Sequence, residues 1–418
     1  MEKVIVIGVR LEDDVNFDDS IEELKNLCQA CNYDVVGEIF QNLKKIVTST
    51  FVGEGKVEEI KNLAKELEVQ KLIFNDDLTP SQIRNLQKAT KCQILDRSGL
   101  IIEIFSSRAK TKEAKIQVEI ATLNYLLPKL VSSDANLSQQ TGGAGSKNKG
   151  LGEKQIDLDK RKIRNSVAVL KKELEKVVTE RNNRRVKRNK SEIPSIAIVG
   201  YTNAGKSTLL NYFVNRYGFK QDKNVLEKDM LFATLDTSIR KIIFDDNKKV
   251  LISDTVGFVS KLPHDLINAF RSTLEEAKEA DLLLNVVDLS NKNYQMQIDV
   301  TNDTLKHIGV EDVPIINVFN KIDKISGIET KNDKVNVYIS AYSGEGIEDL
   351  ISLIKEYLFK NNKKYKLLIP YSSSKVFSYL KEEANVISFE EKDNGILTEI
   401  DSSIEIYGKV KQFDINKN

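Results

Sequence analysis

The segment Gly200-Tyr-Thr-Asn-Ala-Gly-Lys-Ser207 constrains the fold of this chain more than any other feature. It fits the pattern G-x-x-x-x-G-K-[S/T], follows the apolar run Ser195–Val199 and precedes a helical pattern over Ser207–Phe213. A strand, a glycine-rich turn and a helix in this order direct backbone N–H groups at phosphate oxygens. The segment therefore predicts an α/β domain in which Lys206 meets the β- and γ-phosphates and Ser207 ligates Mg²⁺.

The neighbouring positions extend this phosphate site. We expect the P-loop to contact the nucleotide through six residues: Asn203, Ala204, Gly205, Lys206, Ser207 and Thr208. Asp254-Thr-Val-Gly257 follows the predicted strand Lys249–Ser253, so that Asp254 can hold Mg²⁺ and the Gly257 N–H can sense the γ-phosphate. Thr234 lies between the two motifs and is predicted to be a second hydroxyl ligand of Mg²⁺, the alternative being an ordinary loop threonine. Lys206, Thr234 and Gly257 are the predicted catalytic residues.

Two later motifs indicate which base is bound. Asn320-Lys321-Ile-Asp323 follows the predicted strand Ile315–Phe319. The Asp323 carboxylate can accept from guanine N1–H and N2–H₂, a pair of donors that adenine lacks. Asn320 can contact the other base edge or brace the loop, while the Lys321 stem covers the ring face. A backbone N–H of Ser340-Ala341 can reach guanine O6, so the four elements together predict GTP as substrate and GDP as product.

The residue after Gly257 affects the expected rate. Many hydrolytic GTPases carry Gln at this position to orient the attacking water, whereas this chain has Phe258. A phenyl ring cannot orient water. We therefore expect slow intrinsic hydrolysis that an external partner accelerates.

The remaining sequence indicates several domains, because single cores stop growing at roughly 250–300 residues and this chain has 418. Residues 1–108 alternate predicted strands (Val4–Val9, Lys45–Thr50, Lys71–Phe74, Gln93–Asp96) with predicted helices. Residues 361–418 contain Asp393-Asn-Gly395, a hairpin signal. The predicted fold class is α/β and multidomain. A P-loop GTPase domain (193–360), mostly parallel with helices on both faces, joins an N-terminal α/β domain (1–108), a helical hairpin (109–192) and a small C-terminal α+β domain (361–418).

The hairpin prediction depends on two apolar seams with coiled-coil spacing. One runs through Ile116, Ile120, Leu123, Leu127 and Leu130, and the other through Ile156, Ile163, Val167, Leu170, Leu174 and Val177. The glycine-rich stretch Ser132–Gly152 separates them, and Pro128 is expected to kink or end the first helix. An antiparallel pair of helices follows, with a second helix of about 30 residues and roughly 45 Å.

Charge is distributed unevenly along the chain. Residues 141–190 hold 16 basic and 6 acidic side chains, although the whole chain carries a net charge of only +1. The densest part, Arg181–Lys190, suggests a polyanionic partner such as RNA, the alternative being a solvated helix end.

Other sequence features indicate the cellular compartment of the protein. Three cysteines make no disulfide framework, and we see no signal peptide or apolar run long enough to span a bilayer, so we expect a cytoplasmic protein without stable membrane insertion. Cys28-Gln-Ala-Cys31 could be a redox or zinc motif, but its position in a predicted helix without a second pair favours buried structural thiols.

Several of these segments resemble the HflX family of GTPases. They are the P-loop through Thr208, Leu231-Phe-Ala-Thr-Leu-Asp236, Asp254–Phe258, Leu78–Leu86, Asp96-Arg97, Ile104–Lys115 and the loop Gly142–Glu153. This chain differs from the usual family pattern in having Leu151 for Pro, Asp236-Thr237 for Asp-Pro and Tyr342 for Lys. The resemblance covers nearly the whole chain.

The resemblance implies a GTPase that binds the large ribosomal subunit and its rRNA through the hairpin and loop, and that splits or rescues stalled or idle ribosomes under stress. Two alternatives remain open: a GTPase of ribosome assembly, and an RNA-binding or helicase-like regulator gated by nucleotide. The resemblance also raises ATP binding by the N-terminal part, although residues 1–108 hold no recognisable ATP motif. We expect a monomer.

Overall fold

The computed structural model describes residues 1–131, 149–189, 193–218, 238–261, 276–310, 312–325 and 331–416. The chain forms two compact units. The first comprises Met1–Val186, Lys228–Asp236 and Gly257–Thr273, and the second comprises Lys187–Glu227, Thr237–Val256 and Leu274–Asn418. The predicted α/β fold class with a mostly parallel P-loop sheet is confirmed, while the four-domain division stays a prediction.

The first unit begins with a four-stranded parallel sheet in the order β2-β1-β3-β4. Its strands are β1 (Glu2–Leu11), β2 (Tyr33–Leu43), β3 (Lys71–Phe74) and β4 (Gln93–Leu95). Its helices are α1 (Phe17–Ala30), α2 (Glu54–Glu66), α3 (Pro80–Thr90) and α4 (Arg97–Arg108). Apolar side chains of β1 from Val4 to Val9 and those of β3 are buried, which makes these central strands the core of the unit.

The predicted strand at Lys45–Thr50 is wrong. The second strand is Tyr33–Leu43, and it lies at the sheet edge with only Tyr33 and Ile39 buried. Such a half-exposed strand lacks the continuous apolar run that marks a central parallel strand. Val47 instead bridges to Phe51, which has a positive φ of 68° and closes a tight turn.

The two predicted helices of the hairpin are present as α5 (Lys112–Val131) and α6 (Lys149–Asn189). Two ion pairs, Lys112–Glu173 and Arg181–Glu113, join the start of α5 to the distal half of α6, while the antiparallel arrangement of the hairpin stays a prediction. In α6, the predicted seam from 163 to 177 forms the less exposed stripe. The second helix has 41 residues, longer than expected. Pro128 does not end α5, because the helix continues beyond it to Val131.

The second unit contains a six-stranded sheet in the order β10-β9-β8-β5-β7-β6. Its strands are β5 (Ser195–Gly200), β6 (Ser238–Ile243), β7 (Lys249–Asp254), β8 (Leu282–Asp288), β9 (Ile315–Asn320) and β10 (Asn336–Tyr338). The described helices are α7 (Lys206–Tyr217), α8 (Tyr294–His307) and α9 (Ile347–Leu358). Among the strands that the structure describes here, β6 alone is antiparallel, paired with β7. The parallel strands bring their carboxyl ends to one edge, where ligands bind in such sheets.

A three-stranded antiparallel sheet follows in the same unit, in the order β11-β13-β12. It is built from β11 (Lys363–Ile369), β12 (Asn385–Lys392) and β13 (Gly395–Ser402), with α10 (Ser374–Glu383) and α11 (Ile404–Val410). Asn394-Gly395 joins β12 to β13 as the predicted hairpin. None of the helices within the described ranges is long and apolar enough to cross a membrane.

Candidate nucleotide site

The P-loop connects the carboxyl end of β5 to the start of α7. Lys206 is the first residue of α7, and its ammonium group donates to the carbonyl oxygens of Gly200, at 3.1 Å, and of Tyr201, at 2.6 Å. Burial lowers the pKa of Lys206 to about 8, an effect that the nearby Asp254 carboxylate opposes. The loop thus folds back on its own lysine and holds this cation at the helix N-terminus, where an anion is favoured.

Two glycines of this loop cannot be replaced without a shift of their surroundings. Gly200 has a φ of +136°, and a Cβ there would lie 2.2 Å from the Val286 carbonyl oxygen. Gly205 has a φ of +97°, and its Cβ would lie 2.2 Å from the amide nitrogen of Asn320. The motif glycines are therefore required both by backbone conformation and by close approach of neighbouring strands and loops.

The predicted metal ligands lie at adjacent strand and helix ends. The Ser207 hydroxyl donates to Asp254 Oδ2 at 2.9 Å, and Asp254 is fully buried at the end of β7. Hydroxyl and carboxylate oxygens are the hard donors that Mg²⁺ prefers, so this pair fits the ion. Thr234, the third predicted ligand, lies outside the described residues. Gly257 is buried, and Thr208 is partly buried in the first turn of α7.

Asn320 joins the phosphate-binding loop to the base-binding loop. Its amide nitrogen donates to the Ala204 carbonyl at 2.9 Å, and its amide oxygen accepts from the Ala341 N–H at 2.9 Å. Asn320 is 3% exposed, so these bonds satisfy an otherwise costly buried amide. Of the two roles considered for Asn320, the geometry favours bracing of the loop. The Ala341 N–H is engaged by this bond, so its approach to guanine O6 requires a shared hydrogen bond.

The carboxylate predicted to read the base is oriented by a neighbouring hydroxyl. Ser340 donates from Oγ to Asp323 Oδ1 at 2.6 Å, and Ser340 is fully buried after β10. Asp323 lies in a short 3₁₀ turn that follows Lys321. Four of the predicted base-site residues are thus joined in two pairs, Ser340 with Asp323 and Ala341 with Asn320, each by one hydrogen bond.

Lys321 is held by a residue that the motifs did not identify. Its ammonium group donates to Asp288 Oδ2 at 2.6 Å and to the Asn203 carbonyl at 2.7 Å, with a backbone φ of +68°. Asp288 ends β8, and the one available signal was its position at the carboxyl end of a predicted parallel strand. The ion pair fixes the lysine stem along the rim of the site, as its predicted contact with the ring face requires.

Comparison with known proteins identifies three matching families along the chain. They are described as the N-terminal region of a GTP-binding GTPase (residues 18–106), the middle region of a GTP-binding GTPase (108–188) and a 50S ribosome-binding GTPase (195–321). A curated protein, GTPase HflX from Caldanaerobacter subterraneus subsp. tengcongensis, is 40% identical over 399 residues, covering 96% of this chain and 91% of the relative. GTPase HflX from Escherichia coli K12 is 36% identical over 375 residues, covering 88% and 86%.

A solved structure also aligns with most of the chain. It is a GTP-binding protein from the archaeon Sulfolobus solfataricus in complex with GDP, 27% identical, with a TM-score of 0.46. The alignment covers 86% of this chain and 99% of that one.

Proposed function

The chain belongs to the HflX family of GTPases and hydrolyses GTP, and from this premise we propose that it binds the large ribosomal subunit and splits or rescues stalled or idle ribosomes under stress. Two findings support the proposal. One matching family is described as 50S ribosome-binding, and the relatives at 36% and 40% identity align over most of their own length. The excess of basic side chains in 141–190 suits contact with rRNA phosphates.

We propose the following roles at the nucleotide site. Lys206 and the N–H groups of 203–208 bind the phosphates, and Gly257 senses the γ-phosphate. Asp323 reads guanine with Ser340 as its orienting partner, while Lys321 covers the base. Ser207 and Asp254 would hold Mg²⁺, with Thr234 completing the set, and the ion when bound neutralises charge on the phosphate oxygens.

The proposal that GTP hydrolysis depends on the ribosome rests on the character of Phe258. This side chain is 2% exposed and offers no polar group for a water molecule. Alignment of the attacking water therefore has to come from elsewhere, and the family described as 50S ribosome-binding suggests a ribosomal particle as the partner that supplies it.

The test compares GTP hydrolysis by the purified protein with and without large ribosomal subunits. We expect stimulation of at least about a hundredfold, which is below the roughly 10³–10⁵-fold that activating partners can supply to GTPases. Light scattering of intact ribosomes should fall on addition of protein and GTP. Stimulation without a fall in scattering would favour ribosome assembly, and stimulation by naked rRNA alone would favour an RNA-binding regulator. Lys206→Ala should abolish both rates.

A further inference from the structure

The N-terminal sheet has a crevice of the kind in which open α/β sheets bind ligands. Its order, β2-β1-β3-β4, reverses between β1 and β3, and ligands bind in such sheets where the order reverses, beyond the carboxyl ends of the strands. Asn75 directly follows β3, and its side chain is hydrogen-bonded to the Ser20 hydroxyl of α1 at 3.0 Å. Two buried polar side chains thus meet here, next to the apolar core of the sheet.

Arg97 lies beside Asn75 at this position in the sheet. It is the first residue of α4, is 1% exposed and donates to Asn75 Oδ1 at 2.9 Å. The same guanidinium group forms an ion pair with Glu23 of α1, whose side chain is 11% exposed. A charge pair this deeply buried is retained only where its geometry is well satisfied, and here both terminal nitrogens of Arg97 are hydrogen-bonded, whereas its Nε has no partner among the described residues.

The group that lies against this pair comes from another part of the sequence. The Ser260 hydroxyl donates to the Glu23 carboxylate and accepts from Arg97 Nη2, at 3.0 Å. The next residue, Lys261, forms an ion pair with Asp76, beside Asn75. All of these residues belong to the first compact unit, which includes 257–273. The crevice thus holds the chain's own segment.

That segment directly follows the glycine expected to sense the γ-phosphate. Ser260 is three residues after Gly257, while Phe258 and Val259 between them are 2% and 1% exposed. Lys261 has a φ of +53°, an uncommon conformation for a residue with a side chain. Such strain persists where the surroundings over-determine the backbone, and it is characteristic of pre-organised catalytic segments.

We propose that Glu23 and Arg97 are positioning residues for GTP hydrolysis, because they fix Ser260 and thereby the backbone of Gly257–Lys261. Phe258 supplies no polar group, so the contribution of this segment to catalysis is the placement of its backbone. Loosening the segment leaves nucleotide binding through the P-loop and Asp323 intact but lowers the rate of the chemical step. The inference rests on the GTPase activity itself and not on ribosome binding.

The experiment measures single-turnover GTP hydrolysis by the full chain without ribosomes. Ser260→Ala should lower the rate about tenfold, since small misplacements of catalytic groups carry costs of this order or larger. GDP affinity and the thermal unfolding midpoint should stay near those of the wild type, and Ser260→Thr, which keeps the hydroxyl, should recover the rate. Glu22→Gln is the matched control, because Glu22 lies on the same helix, is 69% exposed and pairs with Lys25.

A double variant separates positioning from general destabilisation. Glu23→Gln should lower the rate as Ser260→Ala does, and the combination should cost little more than either change alone, because both remove one interaction. A Ser260→Ala protein that hydrolyses GTP at the wild-type rate, or faster, overturns the proposal. So does a loss of GDP affinity that accounts for the whole change in rate.

Discussion

At the scale of single residues, the candidate site depends on side chains that connect loops. Asn320 contacts the P-loop through Ala204 and the base loop through Ala341. A Cβ on Gly205 would strike that same amide. The loops predicted to bind phosphate and base are therefore geometrically coupled through one buried asparagine, since neither loop can move without breaking its bonds.

Asp323→Asn should change the preferred nucleotide. Ser340 donates to Asp323 Oδ1, so an amide there keeps its oxygen on Ser340 and turns its nitrogen towards the base. That nitrogen can donate to the extra oxygen of xanthine, whereas it opposes the donors of guanine. We expect GDP affinity to fall by about a hundredfold or more, and XDP binding to be gained.

Competitive titration with GDP and XDP measures this change. Asp299→Asn on the exposed face of α8 is the control and should bind as the wild type does. A variant at Asp323 that still prefers GDP would contradict the assignment of the base-reading carboxylate.

At the scale of elements, the end of α1 determines the reactivity of Cys28 and Cys31. Cys28 lies fully buried in the last turn of α1, and Cys31 caps that helix and donates from Sγ to the Leu100 carbonyl. Burial raises the pKa of each thiol to about 12. A thiol that stays protonated is a poor nucleophile and a poor metal ligand.

Both cysteines should therefore be unreactive in the folded protein at pH 8. We expect iodoacetamide to label them far more slowly in the native chain than in urea, where the pKa returns to about 9. Between pH 9 and pH 12 the folded state binds more protons at these thiols than the unfolded state does. The thiols therefore contribute to the free energy of unfolding fully below pH 9, and this contribution is lost as the pH rises towards 12.

Mass spectrometry of the labelled protein and urea unfolding at pH 8 and pH 10 test this prediction. Cys28→Ala should reduce the loss of unfolding free energy between the two pH values. Rapid labelling of Cys28 or Cys31 at pH 8 would support the redox or zinc interpretation instead.

At the scale of the whole molecule, one stretch carries a charge opposite to that of the rest. Residues 141–190 have a net charge of +10 within a chain whose total is +1. Arg181 is already engaged within the protein, because it forms an ion pair with Glu113, and both side chains are largely buried. The basic side chains to change are therefore Arg184, Arg185, Lys187 and Arg188.

Replacing these four residues with Gln should weaken binding to the large ribosomal subunit. Each lost phosphate contact should flatten the slope of log affinity against log salt concentration by roughly 0.7–0.9. GTP affinity should be unchanged, since the replaced residues are not those of the nucleotide site.

Sedimentation binding assays over a range of salt concentrations provide the measurement. Lys171→Gln together with Lys172→Gln is the matched control, because both positions are exposed on the same helix. An equal slope for both variants would contradict a specific role for the basic end of α6.

The sequence by itself determined the elements whose signals are local. The P-loop follows β5 and opens α7, the Asn-Gly hairpin joins β12 to β13, and the seam of α6 is its less exposed stripe. These features depend on periodicity and turn chemistry within a few residues. The sequence also indicated a GTPase, because four short motifs occurred in the order that one site requires.

The tertiary structure alone decided which distant residues meet. The strand Tyr33–Leu43 was missed because an edge strand is specified by its pairing with β1 rather than by its own apolar pattern. Asp288 on Lys321 and Glu23 on Ser260 are contacts between residues far apart in the chain. No local propensity encodes such pairs, since they arise only when packing of the sheets brings strand ends and loops together.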